Sequence, residues 1–206
     1  QHIVETELDK AMIKHRPKGV TAVVVRPSTG EIIAMANRPD FDPNRPGDFP
    51  AGHRRNRAVT DIAEPGSTFK AVTVAAALNE RQVSLSTVFD CERGSFYYGG
   101  RRLRDHHPYH RLSVKEIITK SSNIGSAKVA LRLGSSKLHR YIHQFGFGER
   151  TRISLPGEVR GTVHPLTRWN KLSITRVPMG HEVAATPIQM AMMASAIANK
   201  GKLMRP

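Results

Sequence analysis

The sequence predicts an α+β fold formed by one domain over residues 1–206. Three observations support this prediction. A β-branched run is followed by turn residues and a second apolar run, several later segments carry apolar residues at helical spacing, and no internal repeat or linker divides the chain. Hydrophobic residues make up 39% of the chain and charged residues 24%, a balance that is ordinary for a globular domain and too apolar for a disordered one.

A helix, a hairpin and a loop are predicted for the first 56 residues. From His2 to Arg16, apolar residues fall on one face and charges on the other, so an amphipathic helix opens the chain. Val20–Val25 and Glu31–Ala36 flank turn residues and predict a β-hairpin with well-buried strands. The segment Arg38–Asn56 is rich in Pro, Gly and Asp and is predicted to be a surface loop.

The middle of the chain is predicted to contain a buried helix and then an irregular segment. Ser67–Asn79 follows Pro65-Gly66 and carries apolar residues on nearly every side, which is typical of a helix in the centre of a domain. Ser84–Tyr109 contains Gly99-Gly100 and shows no regular pattern, so we expect an irregular connection there.

Two capping boxes mark the starts of later helices. In a capping box, a Ser or Thr side chain accepts a hydrogen bond from the backbone three residues on, and a Glu or Gln at that position reaches back. Ser113 with Glu116 predicts a helix over Val114–Lys120, and Thr186 with Gln189 predicts one near the end of the sequence.

Two further helices are predicted between these boxes. Apolar residues at helical spacing over Ile124–Leu133 indicate the first, which ends at Gly134. The second is predicted to be capped by Ser135 or Ser136 and to end at Gly146.

The chain is strongly basic, with 32 Lys and Arg against 17 Asp and Glu and a net charge of +15. This charge favours anionic neighbours but selects no partner, because nucleic acid, anionic lipid and acidic polymers all satisfy it. The single Cys91 excludes a disulfide within the chain, and such a lone thiol is more often a core residue than a nucleophile. The longest apolar runs are far shorter than the ~20 residues that span a bilayer.

A hydroxyl and an amine lie three residues apart in Ser67-Thr68-Phe69-Lys70. On the first turn of a helix, Ser67 and Lys70 point from the same face, so a nucleophile and a base can meet there. The helix N-terminus adds partial positive charge, and apolar surroundings disfavour the ammonium form of Lys70. Because about one Ser-x-x-Lys arises by chance in a chain of this length, the alternative is a helix cap followed by a surface lysine.

A second element, Ser121-Ser122-Asn123, interrupts the helical pattern later in the chain. Side chains in such a break can project into a cleft. Ser121 can relay a proton between Lys70 and a leaving amine, and Asn123 can orient an amide carbonyl of a substrate. Taken alone, Ser121 and Asn123 are more often helix caps.

With these two motifs, the sequence resembles the transpeptidase domain of penicillin-binding proteins. The resemblance runs nearly from end to end and is to the monofunctional class B enzymes. Other segments that carry it are Thr29-Gly30-Glu31, Ile33-Ala34-Met35-Ala36, Phe41-Asp42-Pro43-Asn44, Asn56-Arg57-Ala58, Glu64-Pro65-Gly66, Phe145-Gly146-Phe147-Gly148, Leu155-Pro156-Gly157-Glu158 and Thr186-Pro187-x-Gln189-Met190.

The resemblance implies residue roles and a fold. By it, Ser67 is the acylated nucleophile and Lys70 its general base. Ser121 is the proton relay, and Asn123 is a substrate contact. The implied fold is that of penicillin-binding proteins and serine β-lactamases, an antiparallel sheet packed between helices with Val20–Ala36 as a central hairpin. No cofactor and no metal are implied.

The activity implied is D,D-transpeptidation, in which peptidoglycan stem peptides are cross-linked through an acyl-serine that β-lactams also form. The implied partners are peptidoglycan stem peptides, β-lactams and a peptidoglycan glycosyltransferase of the elongation or division machinery. The implied location is the cell envelope, at the extracytoplasmic face of the inner membrane, with an anchoring helix upstream of these residues.

The sequence departs from the family in two places. The third motif, Lys-Thr-Gly or Lys-Ser-Gly, does not occur; in the family it lines the cleft with a binding lysine and completes the oxyanion hole. We therefore expect the N-terminal and central part of a transpeptidase domain, incomplete and poorly active by itself. The second departure is Thr151-Arg152, where relatives commonly have Thr-Gly.

Two alternatives share the nucleophile. A serine β-lactamase needs a group that activates water against the acyl-enzyme, and Glu158 lacks the Glu-x-x-Leu-Asn context of class A enzymes. A penicillin-sensing receptor domain keeps Ser-x-x-Lys without turnover. The rate of deacylation distinguishes the three.

An alternative of another class is a basic nucleic-acid-binding module. Residues 93–111 interleave Arg with Tyr and His, but no known nucleic-acid motif accompanies them, so nucleic acid is not a predicted partner. The same segment contains His106-His107-x-x-His110, whose spacing does not suit one metal ion, so no metal site is predicted.

Overall fold

The computed structural model describes all 206 residues and contains eight α-helices and eight strands, joined by short 3-10 helices and loops. The helices are α1 (His2–His15), α2 (Arg57–Thr60), α3 (Lys70–Asn79), α4 (Val114–Thr119), α5 (Asn123–Leu133), α6 (Ser135–Gln144), α7 (Ser173–Arg176) and α8 (Pro187–Ala198). The strands are β1 (Val20–Val25), β2 (Ile32–Arg38), β3 (Val88–Asp90), β4 (Ser95–Tyr98), β5 (Arg101–Arg104), β6 (Arg111–Ser113), β7 (Thr162–Val163) and β8 (Val183–Ala184).

The strands form four antiparallel pairs, β1 with β2, β3 with β6, β4 with β5 and β7 with β8. This mixture of helices and antiparallel strands confirms the α+β prediction. The chain divides into two compact units. The first unit contains residues 1–63, 146–161 and 185–206, and the second contains residues 64–145 and 162–184. No helix in either unit has the length and apolar character of a membrane-spanning segment.

The first unit is built around the predicted hairpin of β1 and β2. A small core of side chains from α2 and α8 packs against the hairpin, with Val59, Ile188 and Met192 at its centre. The expectation that both strands are well buried is wrong, because Val24 is 41% exposed and Ile33 is 45% exposed.

The second unit is built around α3, which is buried on nearly every side as predicted. Val72, Ala76 and Ala77 are fully buried, and α3 packs against both α5 and α6. Cys91 is also fully buried in this core, where burial raises the pKa of its thiol. The lone cysteine is therefore a core residue, as expected.

The segment expected to be irregular contains three short strands, which corrects the sequence prediction. Gly99 and Gly100 form the turn between β4 and β5, and both have positive φ angles, +57° and +84°, that glycine adopts without a steric penalty. Each strand in this segment has only three or four residues. An alternating pattern over so few positions cannot be told from loop sequence.

The capping predictions are confirmed at two helices and wrong at a third. Both reciprocal capping boxes are present, at the start of α4 and at the start of α8. By contrast, the residue that caps α6 is Gly134, with no side-chain hydrogen bond, and Ser135 is the first helical residue. Gly134 ends α5 and precedes α6 directly, so no position between the two helices is left for a serine cap.

Candidate active site

Ser67 lies in a short 3-10 helix, Gly66–Phe69, that continues directly into α3. The sequence predicted a single α-helix here. In a 3-10 helix side chains three residues apart are eclipsed, because there are three residues per turn. Lys70 consequently lies directly beside Ser67, with its Nζ 3.0 Å from the Oγ of Ser67. Ser67 is exposed, whereas Lys70 is only 2% exposed, so the hydroxyl faces solvent and the amine lies beneath it.

The break between α4 and α5 places the other two predicted residues against the same amine. The Nζ of Lys70 is 2.9 Å from the Oγ of Ser121, 2.6 Å from the carbonyl oxygen of Ser121 and 2.8 Å from the Oδ1 of Asn123. Ser121 has a left-handed backbone, with φ of 55°, which turns the chain sharply at the end of α4. All four residues predicted to form the site therefore meet at one nitrogen atom.

The partners of Lys70 suit a neutral amine. Nζ has four acceptors within reach, whereas an ammonium group has three hydrogens to donate. Two of these acceptors, the carbonyl oxygen of Ser121 and Oδ1 of Asn123, cannot donate in return. A neutral amine can donate to these two and keep its lone pair for a hydroxyl proton from Ser67.

Burial lowers the pKa of Lys70 to about 8, and the negative charge of Asp105 partly opposes this shift. An amine with that pKa is neutral in about one molecule in ten at pH 7, compared with a few in ten thousand for an ordinary exposed lysine. The site therefore supplies a usable fraction of free base near neutral pH.

Asp105 is a site residue that sequence reasoning missed. Its carboxylate accepts hydrogen bonds from the Oγ of Ser122 at 2.7 Å, from the backbone N–H of Ile124 at 3.0 Å and from the backbone N–H of Asn123. It thereby holds the turn that carries Ser121 and Asn123 at the N-terminus of α5. No sequence signal marks Asp105, because the strand that delivers it, β5, was not predicted.

The strand β5 also sets the orientation of the Asn123 side chain. Nδ2 of Asn123 donates to the backbone carbonyl of Arg104 at 3.0 Å, which leaves Oδ1 turned toward Lys70. The helix cap of α5 is Ser122, whose Oγ accepts from the N–H of Gly125 at 2.9 Å. Ser121 and Asn123 are therefore not the helix caps, and the alternative reading of these two residues is wrong.

The backbone before Ser67 is held in place by a close approach to residues 180–182. A Cβ atom on Gly180 would lie 2.2 Å from the carbonyl oxygen of Gly66, so only glycine fits. Glu64 accepts a hydrogen bond from the N–H of Glu182 at 2.9 Å and pairs with Nδ1 of His181 at 2.9 Å. These two contacts, led by that with His181, lower the pKa of Glu64.

Glu158 and the three histidines of residues 106–110 lie in surroundings that differ from those of the four site residues. Both carboxylate oxygens of Glu158 accept hydrogen bonds, from the N–H and hydroxyl of Thr151 and from the N–H of Arg152. His106, His107 and His110 are exposed, and no group of three or more His, Cys, Asp or Glu side chains is arranged as a metal site.

Comparison with known proteins gives one consistent family. The family model described as the penicillin binding protein transpeptidase domain matches residues 20–206. The chain is 40% identical over 212 residues to stage V sporulation protein D of Bacillus subtilis, covering 100% of the chain and 32% of that protein. It is 36% identical over 204 residues to the probable peptidoglycan D,D-transpeptidase PenA of Neisseria gonorrhoeae, covering 99% of the chain and 35% of that protein.

Among solved structures, the fold is similar to that of penicillin-binding protein 3 from Mycobacterium tuberculosis, determined in complex with aztreonam. The TM-score is 0.92 and the sequence identity 32%, and the match covers 98% of this chain and 45% of that one. The chain thus spans about a third of the length of the two curated relatives and a little under half of the solved structure.

Proposed function

The chain belongs to the penicillin-binding protein transpeptidase family, and from this premise we propose that it is part of a peptidoglycan D,D-transpeptidase in which Ser67 is the nucleophile. The observation that carries this proposal is the position of Lys70, whose Nζ contacts Ser67, Ser121 and Asn123 at once. A nucleophile, a base with a lowered pKa and a second hydroxyl are the groups that acyl transfer requires.

In the proposed first step, the neutral amine of Lys70 takes the proton of the Ser67 hydroxyl while Oγ attacks the carbonyl before a terminal D-Ala. The backbone N–H of Ser67, at the start of the helix, stabilises the oxyanion that forms. The tetrahedral intermediate then breaks its C–N bond and leaves an ester on Ser67.

The leaving D-Ala nitrogen needs a proton, and we assign its delivery to Ser121. Oγ of Ser121 is 2.9 Å from Nζ of Lys70, so the proton taken from Ser67 passes through this hydroxyl to the departing amine. In the second step, an amine from another peptide strand attacks the ester and loses its proton along the same path, which regenerates Ser67 and Lys70. Asn123 orients the substrate amide in both steps.

We propose peptidoglycan stem peptides as substrates and β-lactams as inhibitors that acylate the same serine. The aztreonam complex of the M. tuberculosis structure and the name of the N. gonorrhoeae relative support this assignment. We further propose a peptidoglycan glycosyltransferase of the elongation or division machinery as partner. The proposed location is the extracytoplasmic face of the inner membrane, with an upstream anchor.

We also propose that the 206-residue chain reacts slowly, since its sequence contains no Lys-Thr-Gly or Lys-Ser-Gly. In the proposed mechanism that motif supplies a cationic contact for the substrate carboxylate and completes the oxyanion hole. Loss of a single oxyanion donor costs about 3 kcal/mol in comparable enzymes.

The experiment that tests this function follows D-Ala release from a synthetic stem peptide ending in D-Ala-D-Ala, with the protein in excess and an amine acceptor added. The proposal expects one D-Ala per donor peptide, formation of the cross-linked product and no release by Ser67→Ala. Release that is unchanged in Ser67→Ala would overturn it. Rapid hydrolysis of penicillin would instead favour a β-lactamase, and stable acylation by penicillin without D-Ala release from the peptide would favour a sensor domain.

A further inference from the structure

Four arginines of the first unit line two adjoining cavities, and none of the four takes part in the proposed mechanism. The cavities have volumes of about 790 and 500 Å³, and Arg150 and Arg152 line both. Arg160 lines the larger cavity and Arg205 the smaller. All four side chains are exposed, and none takes part in an ion pair.

The loop that carries three of these arginines is fixed at both ends by one buried side chain. Gln189, which is 2% exposed at the start of α8, donates through Nε2 to the carbonyl of Glu149 at 2.8 Å and to the carbonyl of Arg160 at 3.0 Å. Next to Arg160, the N–H of Val159 donates to the carbonyl of Val59. The loop has little regular secondary structure but a defined path.

A buried carboxylate fixes the middle of the same loop. Glu158 is 8% exposed, and it accepts from the N–H of Thr151 at 2.6 Å and from the N–H of Arg152 at 3.1 Å. The carboxylate of Glu158 therefore accepts hydrogen bonds from backbone N–H groups and forms no ion pair with a guanidinium. Glu158 lines the smaller cavity and Glu149 the larger one, so arginines outnumber carboxylates at both cavities.

Arg152 occupies a backbone conformation that does not favour arginine. Its φ angle is +64°, in the left-handed region where a side chain other than that of glycine is strained. A role of the Arg152 charge in binding an anion would account for an arginine at this strained position.

Arginine matches the chemistry of phosphate groups, because its planar guanidinium donates two parallel hydrogen bonds to a pair of oxygens. A single carboxylate would engage one such group, whereas four arginines that form no ion pair suit an anion with several charges. We propose that Arg150, Arg152, Arg160 and Arg205 form a binding site for a diphosphate, or for two neighbouring phosphate groups, carried by a soluble molecule or by a lipid headgroup.

The test is calorimetric titration of the 206-residue chain with inorganic diphosphate at low salt. Two variants remove charge from the proposed site, Arg152→Gly and Arg150→Gln, and the first also relieves the strained φ angle, so it should remain folded. Arg101→Gln is the matched control, because Arg101 is an exposed, unpaired arginine of the second unit. We expect saturable binding of diphosphate, with a dissociation constant that rises about tenfold in each site variant. In the control variant the constant should stay within about twofold of that of the unmodified chain.

Vesicles of phosphatidylcholine with and without phosphatidylglycerol identify the source of the phosphate. Binding only to the anionic vesicles, weakened by Arg152→Gly and displaced by diphosphate, would support the site and point to a lipid headgroup. Diphosphate binding without vesicle binding would support the site and point to a soluble ligand. Absence of saturable diphosphate binding, or equal weakening in Arg101→Gln and the site variants, would overturn the proposal.

Discussion

Nζ of Lys70 lies 2.9 Å from Oγ of Ser121, although the two residues are 51 positions apart in the sequence. The same nitrogen is 3.0 Å from Oγ of Ser67. Lys70 thus stands between two hydroxyls that do not need to move for a proton to pass from one to the other.

Asp105→Asn is expected to move the pH dependence of acylation to lower pH. In the proposed mechanism acylation needs neutral Lys70, so its rate in the unmodified protein should rise as the pH passes through about 8. The carboxylate of Asp105 stabilises the ammonium form, and its removal therefore lowers the pKa of Lys70 further. The measurement is the rate of reaction with a fluorescent penicillin between pH 6 and 10.

The control for this shift is Asp90→Asn. Asp90 also caps a turn through its carboxylate, by accepting from the N–H of Glu92 at 2.8 Å, but it is not among the charges that shift the pKa of Lys70. Its pH profile should match that of the unmodified protein. A profile in Asp105→Asn that keeps its midpoint while losing amplitude would show that Asp105 acts only through the turn.

Ser122→Ala is expected to destabilise the protein by about 1–2 kcal/mol. Oγ of Ser122 caps α5 and donates to Asp105, so its loss leaves a half-buried carboxylate with one partner fewer. Ser136→Ala, at an exposed position of α6 without a capping hydrogen bond, should be nearly neutral. Urea denaturation followed by circular dichroism gives both values, and equal destabilisation would contradict the assignment of Ser122 as the cap.

Gly180→Ala should disrupt the segment that carries Ser67. The position has a φ of +77°, and an added Cβ would lie 2.2 Å from the carbonyl oxygen of Gly66. Gly100 has a similar φ of +84°, and a Cβ atom added there would have nothing within 4 Å. The control variant Gly100→Ala therefore isolates the cost of the backbone angle, about 1–2 kcal/mol. We expect Gly180→Ala to cost about 1–3 kcal/mol more than this control, measured by thermal unfolding. Equal losses would show that the backbone of Gly66 moves aside freely.

The chain should react with penicillin at least about a hundredfold more slowly than the full-length N. gonorrhoeae relative PenA. The reason is the absence of a Lys-Thr-Gly or Lys-Ser-Gly sequence, on which the proposed oxyanion hole depends. Second-order acylation rates of the two proteins under the same conditions provide the comparison. Similar rates would mean that Ser67, Lys70, Ser121 and Asn123 are sufficient for acylation.

Features that depend on neighbouring residues in the sequence were predictable. The capping boxes that begin with Ser113 and Thr186 each lie within four residues and are present as predicted. The spacing of Ser67 and Lys70 on one helical face is likewise local, although the turn is 3-10 and not α.

Features that depend on contacts between distant segments were not predictable from the pattern. Asp105 acts on residues 17 to 19 positions later through strands of three or four residues, which are too short to show alternation. The exposure of Val24 and Ile33 depends on which elements cover the hairpin, and an apolar run does not contain that information. The break in the helical pattern indicated Ser121 and Asn123 as candidate site residues, whereas their contacts with Lys70 depend on the fold.

The central claim is that Ser67 is the residue acylated. The most direct test is mass spectrometry of the chain after prolonged incubation with benzylpenicillin, followed by peptide mapping of the adduct. We predict one penicilloyl group per chain, located on the peptide that contains Ser67 and absent from Ser67→Ala. An adduct on Ser121, or undiminished labelling of Ser67→Ala, would contradict the account.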